Sequence, residues 1–226
     1  MFLKLSQVVA NSGGPDSTCL LFLLNRHLKE VKDSRNNFPK RLVSLTVDHD
    51  LQSSSSEMAK HAANVANVLG AEHITEKLSW GQHGSPPKPF PGDRIEGIAR
   101  MMRYRVVFEQ LKNLKANSVA FGHHLDDQVE TMLMRLGRGA STYGLAAMRP
   151  CRRWGMGSGS QEQYGLEGLS KWIIRPLLSF GKVWKNNLSS VLLYLLLVSR
   201  IEFLRRAKKI IYLTLQILQI SNQRSH

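Results

Sequence analysis

Asn11-Ser12-Gly13-Gly14-Pro15-Asp16-Ser17 gathers two adjacent glycines, two hydroxyls and a carboxylate in seven residues. Glycines let the backbone approach an anion closely, and a helix beginning just after them offers N–H groups and a favourable dipole. Ser12 and Ser17 can add hydroxyl donors. Asp16 is the odd member, because a carboxylate beside phosphates makes sense only with a cation between them, and Mg²⁺ suits both partners. The same residues also make an ordinary glycine turn with Asp16 and Ser17 capping a helix. The pattern GxxxxGK[ST] is absent, which argues against an ordinary kinase or GTPase.

A second cluster is Gly122-His123-His124-Leu125-Asp126-Asp127-Gln128-Val129-Glu130-Thr131. If a helix includes His123 or begins just after it, then His123, Asp127 and Glu130 fall at i, i+4 and i+7 on one face. A carboxylate there can hold Mg²⁺ against phosphates while a histidine donates to an oxygen. The plainer alternative is that Asp126 and Asp127 complement a helix dipole. Three further segments are Val47-Asp48-His49, the Ala99-Arg100 and Arg103-Tyr104 pairs, and Ile174-Arg175-Pro176-Leu177-Leu178. Taken singly, each arginine is an ordinary surface residue.

These segments need strand-to-helix junctions, and the pattern supplies them. Short apolar runs alternate with helical spacing over the first 150 residues, the mark of stacked βαβ units and a mostly parallel sheet. Strands are expected at Leu5–Ala10, Arg41–Val47, Glu72–Leu78 and Ser118–Gly122, and helices at Asp16–Glu30, Ser56–Leu69, Ile95–Leu114 and Asp126–Leu136. Gly70 stands where a helix stop belongs. Four prolines make 81–92 an irregular loop, and the glycine-rich stretch 137–168 is also expected to be loop. Alanine at Gly13 or Gly14 should weaken anion binding more than it destabilises the fold.

The chain has 226 residues, 42% hydrophobic and 21% charged, with two cysteines and a net charge of +14. That composition is globular, and two cysteines without CxxC spacing exclude a disulfide scaffold. No apolar run reaches membrane-spanning length and no secretory signal is read at the start, so a reducing, intracellular setting is expected. Residues 1–182 carry +8 and the remainder +6, which suits a polyanionic partner such as RNA. Composition shifts abruptly at Val183 into leucine-rich and basic sequence with one acid, Glu202. Two loosely amphipathic helices are one reading of 183–226, and a segment foreign to the domain is the other.

In order and spacing these segments resemble the tRNA(Ile)-lysidine synthase family of N-type ATP pyrophosphatases, within the PP-loop superfamily. SGGPDS resembles its SGGxDS phosphate loop, GHHLDDQVET its GHxxDDxxET motif, and the VDH, ARxxRY and RPLL segments fall in register. Asp50 stands where the family usually has glycine. The resemblance spans roughly 6–182 and implies an adenine nucleotide alpha hydrolase-like α/β fold, a mostly parallel sheet flanked by helices. It divides the chain into a catalytic domain, 1–182, and a tail, 183–226.

The resemblance implies that ATP adenylates the C2 carbonyl of the wobble cytidine in isoleucine tRNA, and that free lysine then displaces AMP to give lysidine. It assigns ATP to Ser12, Gly13, Gly14, Pro15, Asp16, Ser17, Asp48 and His49, and Mg²⁺ to Asp16 and Asp127. Arg103 and Arg175 would meet transition-state charge or tRNA, and His123 would orient or relay a proton. The expected setting is cytoplasmic, or an organelle matrix in a eukaryote, without membrane association, and a homodimer is compatible. A PP-loop tRNA thiolase and an inactive RNA-binding remnant are the alternatives.

Overall fold

The computed structural model describes residues 6–31, 41–52, 54–82, 85–90, 95–141, 145–154 and 161–181. Leu5 and the segment from Val183 lie outside the described residues. In chain order the elements are β1 (Ser6–Ala10), α1 (Pro15–Val31), β2 (Arg41–Asp48), α2 (Ser55–Val68) and β3 (Glu72–Lys77). There follow α3 (Ile95–Asn113), β4 (Ser118–Phe121), α4 (Leu125–Gly137), β5 (Cys151–Arg153), α5 (Gln161–Ser170) and β6 (Trp172–Ile174).

The strands form one sheet in the order β3-β2-β1-β4-β6-β5, parallel throughout except that β5 runs antiparallel to β6. Both faces are covered, so the central strands are buried along most of their length, with hydrogen-bonded polar residues such as Gln7, Ser44 and Ser118 among apolar ones. Val9, Ala120 and Ile174 face a core with Leu20, Leu21 and Leu24 of α1 and Ala66 of α2. Their neighbours Val8, Val119 and Ile173 face the opposite core with Val107, Phe108 and Leu111 of α3 and the fully buried Trp154. The two-residue period of the strands thus divides adjacent residues between the cores.

Pro15 begins α1, where its fixed φ and missing N–H cost nothing. Gly70 ends α2 at φ +70, with its N–H donated to the Asn67 carbonyl, as the sequence led us to expect. The expected loop over 137–168 is corrected: it contains β5 and most of α5. β5 is a three-residue edge strand of sequence CRR, without apolar alternation, and α5 is kinked at Gly165 (φ 54, ψ −156). Glycines and arginines there hide elements that tertiary pairing creates. β6 likewise went unrecognised, since only its last residue fell within a motif.

The order of strands reverses between β1 and β4, which pair so that Ala10 lies beside Phe121. Loops 11–14 and 122–124 therefore leave the sheet side by side at its carboxyl edge. Open α/β sheets place ligands at that switch point. α4 buries none of its residues and is tied down near its start, by Leu125 N–H to the Phe180 carbonyl and by Gln128 to both backbone groups of Met148.

Candidate active site

A cleft of about 380 Å³ opens at the switch point, within the size range of small-molecule sites. Its walls include Ser12, Gly14, Asp16, Ser17, Asp48, His49, Arg103, His123 and Asp127. All five sequence segments but the last reach it directly.

Asn11 organises the first wall. It is buried, its Oδ1 accepts from Gly13 N–H (3.0 Å) and lies 3.1 Å from the Ser17 hydroxyl, and its Nδ2 donates to Ser44 (3.1 Å). Its backbone joins β2 through the Leu45 carbonyl and the Thr46 hydroxyl. The Ser17 hydroxyl in turn accepts from Ser12 N–H at 3.2 Å. Asn11 and Ser17 hold the turn from inside, while the first turn of α1 presents its amide dipole to the cleft. The two glycines differ. Gly13 has φ +80, and a Cβ there would lie 3.1 Å from the Met58 carbonyl of α2. Gly14 has no such strain, and a Cβ there would meet only Ser12 Oγ at 3.5 Å. Alanine at Gly13 therefore acts through the fold, correcting the equal treatment of the pair; Gly14 is the glycine on the cleft wall.

Asp48 is buried, and its Oδ1 accepts from Asp50 N–H (2.9 Å) and from the Ser55 hydroxyl, pinning the β2–α2 turn. Asp50 adopts φ +52, a left-handed conformation natural to glycine, with Lys77 3.1 Å and Lys88 3.6 Å from its carboxylate. The sequence departure at Asp50 thus falls where the backbone favours glycine, and the bond to Asp48 helps retain that geometry. His49 Nε2 accepts from Arg103 Nε at 3.1 Å, bringing α3 to the end of β2. His49 Nδ1 is buried with no hydrogen-bond partner among the described residues.

α4 begins just after His123, with His124 as its N-cap, one of the two helix starts for which the spacing expects His123, Asp127 and Glu130 on one face. His123 and Asp127 both line the cleft, whereas Glu130 is exposed on α4 away from it. His123 stacks on Phe121, and its Nδ1 accepts from Arg175 Nε at 3.2 Å. Arg175 is 3% exposed, donates also to the Arg149 carbonyl (2.9 Å), and is absent from the cleft walls. It acts on the site through His123. Gly13 and Pro15 likewise support the cleft without lining it.

Burial first, and the neighbouring arginine second, pull His123 and His49 down to about 4. Both imidazoles are neutral at pH 7, and His123 carries its proton on Nε2 because Nδ1 is an acceptor. It is thus a hydrogen-bond donor rather than a base at that pH. The unfolded chain, with histidines near 6.5, binds more protons than the native state between about pH 4 and 6.5. Stability from these two groups is complete above 6.5 and falls as pH drops toward 4. His123→Gln should flatten the fall of Tm across that window, and an unchanged slope would contradict the assignment.

Asp16 and Asp127 sit in the first turns of α1 and α4. His124, which the motif reading passed over, lies between them: its Nε2 is 3.6 Å from Asp16 Oδ2 and 3.6 Å from Asp127 Oδ2. Gly122 was also passed over. A Cβ there would lie 2.9 Å from Ser17 N and 3.0 Å from Asp16 C and O, so glycine alone lets the end of β4 meet α1. The adjacent HH and the glycine closing β4 were the available signals. Among the described residues no group of three His, Cys, Asp or Glu side chains is arranged to hold a metal. Two converging carboxylates nevertheless fit Mg²⁺, which uses one or two protein carboxylates and completes its shell with phosphates and water.

The PP-loop domain model matches residues 4–193. A tRNA(Ile)-lysidine synthase from Bradyrhizobium sp. (strain BTAi1) is 38% identical over 174 residues, 77% of this chain and 41% of that protein. One from Rhodopseudomonas palustris is 40% identical over 141 residues, 62% and 37% of the two chains, and one from Thermosipho africanus 36% over 143 residues, 63% and 31%. The chain spans about two fifths or less of the length of these curated relatives. A solved structure of a U34-tRNA thiolase from Methanococcus maripaludis shares the fold, with a TM-score of 0.60 at 16% identity, covering 92% of this chain and 66% of that one. The family match covers most of the chain, and its strand order, glycine turn and switch-point cleft agree with it: the chain belongs to the PP-loop domain family.

Proposed function

We propose that the chain is the ATP-using domain of a tRNA(Ile)-lysidine synthase, with isoleucine tRNA and free lysine as substrates. The observation that carries this reading is the convergence of two distant segments, Ser12–Ser17 and His123–Asp127, on one cleft. The identities to tRNA(Ile)-lysidine synthases support the choice of reaction.

In this reading the triphosphate lies against Ser12, Gly14 and the first turn of α1, where amide dipoles stabilise anionic oxygen. The C2 carbonyl oxygen of the wobble cytidine attacks the α-phosphorus, the bond to the β-phosphate oxygen breaks, and pyrophosphate leaves. Arg103 and the His123 Nε2–H lie on the cleft wall to meet the charge that develops. The lysine ε-amine then bonds to C2 as the C2–O bond breaks and AMP departs. The amine gives up protons as it adds, to water or a carboxylate of the cleft; His123, whose pKa is pulled down to about 4, is a weak base for that task. Asp16 and Asp127 would hold Mg²⁺, which when bound supplies charge neutralisation for the phosphates. Arg175 fixes the His123 ring and tautomer.

The catalytic unit is 1–182 in this proposal, with the family match running past that boundary to residue 193. Among the described residues no helix is long and apolar enough to cross a membrane, and we place the reaction in the cytoplasm or an organelle matrix. Within this chain the thiols are poor candidates for sulfur transfer. Cys19 is buried in the core of α1, and burial pushes Cys151 up to about 11, leaving it protonated. The test is pyrophosphate release from ATP on adding isoleucine tRNA. Release that requires this tRNA is expected; release unaffected by it would remove the tRNA from the proposal.

A further inference from the structure

His124 has more bonds in the site than its position between two named motif residues suggests. It is 8% exposed and is the N-cap of α4. Its Nδ1 accepts from Asp126 N–H at 3.2 Å, and its own N–H donates to Asp127 Oδ2 at 2.7 Å, a reciprocal cap. Because Nδ1 is an acceptor, the ring presents an N–H at Nε2. That edge lies 3.6 Å from a carboxylate oxygen of each acid, one from α1 and one from α4.

The two edges of the ring therefore face two different tasks. Nδ1 closes the first turn of α4, which any short acceptor could do. Nε2 faces two carboxylates that repel one another, and a polar N–H between them offsets that repulsion and limits their approach. We propose that His124 is a positioning residue that sets the spacing of Asp16 and Asp127 through Nε2, separately from its helix cap. This rests on the reading of the cleft as a Mg²⁺–ATP site. A group that orients metal-holding side chains is commonly worth about 10–100-fold in metal affinity.

The two tasks can be separated by substitution. Asparagine places an acceptor near the position of Nδ1 and has nothing at Nε2. Glutamine reaches the Nε2 position with an amide N–H and gives up the short cap. His124→Asn should keep the parent Tm and weaken Mg²⁺-dependent ATP binding, measured by calorimetry across a Mg²⁺ series, by about tenfold or more. His124→Gln should lower Tm by about 2–4 °C, the loss of a cap, and bind within about threefold of the parent. Parent-like binding by the asparagine variant, or a tenfold loss in a folded glutamine variant, would overturn the proposal; if the asparagine variant fails to fold, the glutamine variant decides. A parent that binds Mg²⁺–ATP without acting on tRNA would refute the tRNA reaction and leave these outcomes decisive for His124. A parent that binds no Mg²⁺–ATP would refute both.

Discussion

Asp127→Asn is expected to reduce pyrophosphate release at least about a hundredfold, roughly 2.7 kcal/mol of barrier, with the fold intact. The substitution removes charge and keeps shape. Asparagine Oδ1 can still accept from His124 N–H, the bond that Asp127 makes at 2.7 Å, so the cap of α4 survives. Asp127→Ala loses both and should cost about 1 kcal/mol of stability besides activity. Asparagine is for that reason the informative variant. Activity within threefold of the parent, at an unchanged Tm, would show that Asp127 only caps its helix.

Gly122→Ala should damage stability and binding together. The added methyl would lie 2.9–3.0 Å from Ser17 N and from the carbonyl carbon and oxygen of Asp16. These are backbone atoms, so no rotamer change relieves the contact. α1 cannot move away freely either, because Leu20, Leu21 and Leu24 on it are 0–1% exposed. Overpacking of this kind costs about 1–3 kcal/mol, which lowers Tm by about 2–12 °C in a domain of this size. The displaced group carries Asp16, and misplacement of a catalytic group by about 1 Å can cost about a hundredfold in rate. Thermal melts and ATP titrations on the same preparation check both effects. An unchanged Tm with binding within twofold would mean that β4 and α1 do not meet as closely as described.

What could be read from the sequence was what local chemistry dictates. SGGPDS and GHHLDDQVET announced their strand-to-helix junctions because glycine, capping residues and first-turn acids have strong local preferences. The alternation of apolar runs announced a parallel sheet for the same kind of reason. Gly122 and His124 escaped because their value depends on a neighbour more than 100 residues away, the first turn of α1. Arg175 was recognised in its segment but not as buried, since nothing local distinguishes an arginine behind a histidine from one in solvent. β5 and α5 escaped because the edge strand is basic and the helix contains Gly165, so only pairing with β6 and packing on Trp154 and Phe108 define that region. Spacing brought His123 and Asp127 to one cleft because α4 begins just after His123, but could not show that Glu130, one turn on, stays exposed outside it.

The most direct measurement is the nucleoside composition of isoleucine tRNA after incubation of the protein with ATP, Mg²⁺ and isotopically labelled lysine. The account predicts that the wobble cytidine gains one lysine less one water, with AMP and pyrophosphate formed in equal amounts to the modified nucleoside. An unmodified cytidine in a preparation that binds Mg²⁺–ATP, or label entering the tRNA without AMP, would contradict it.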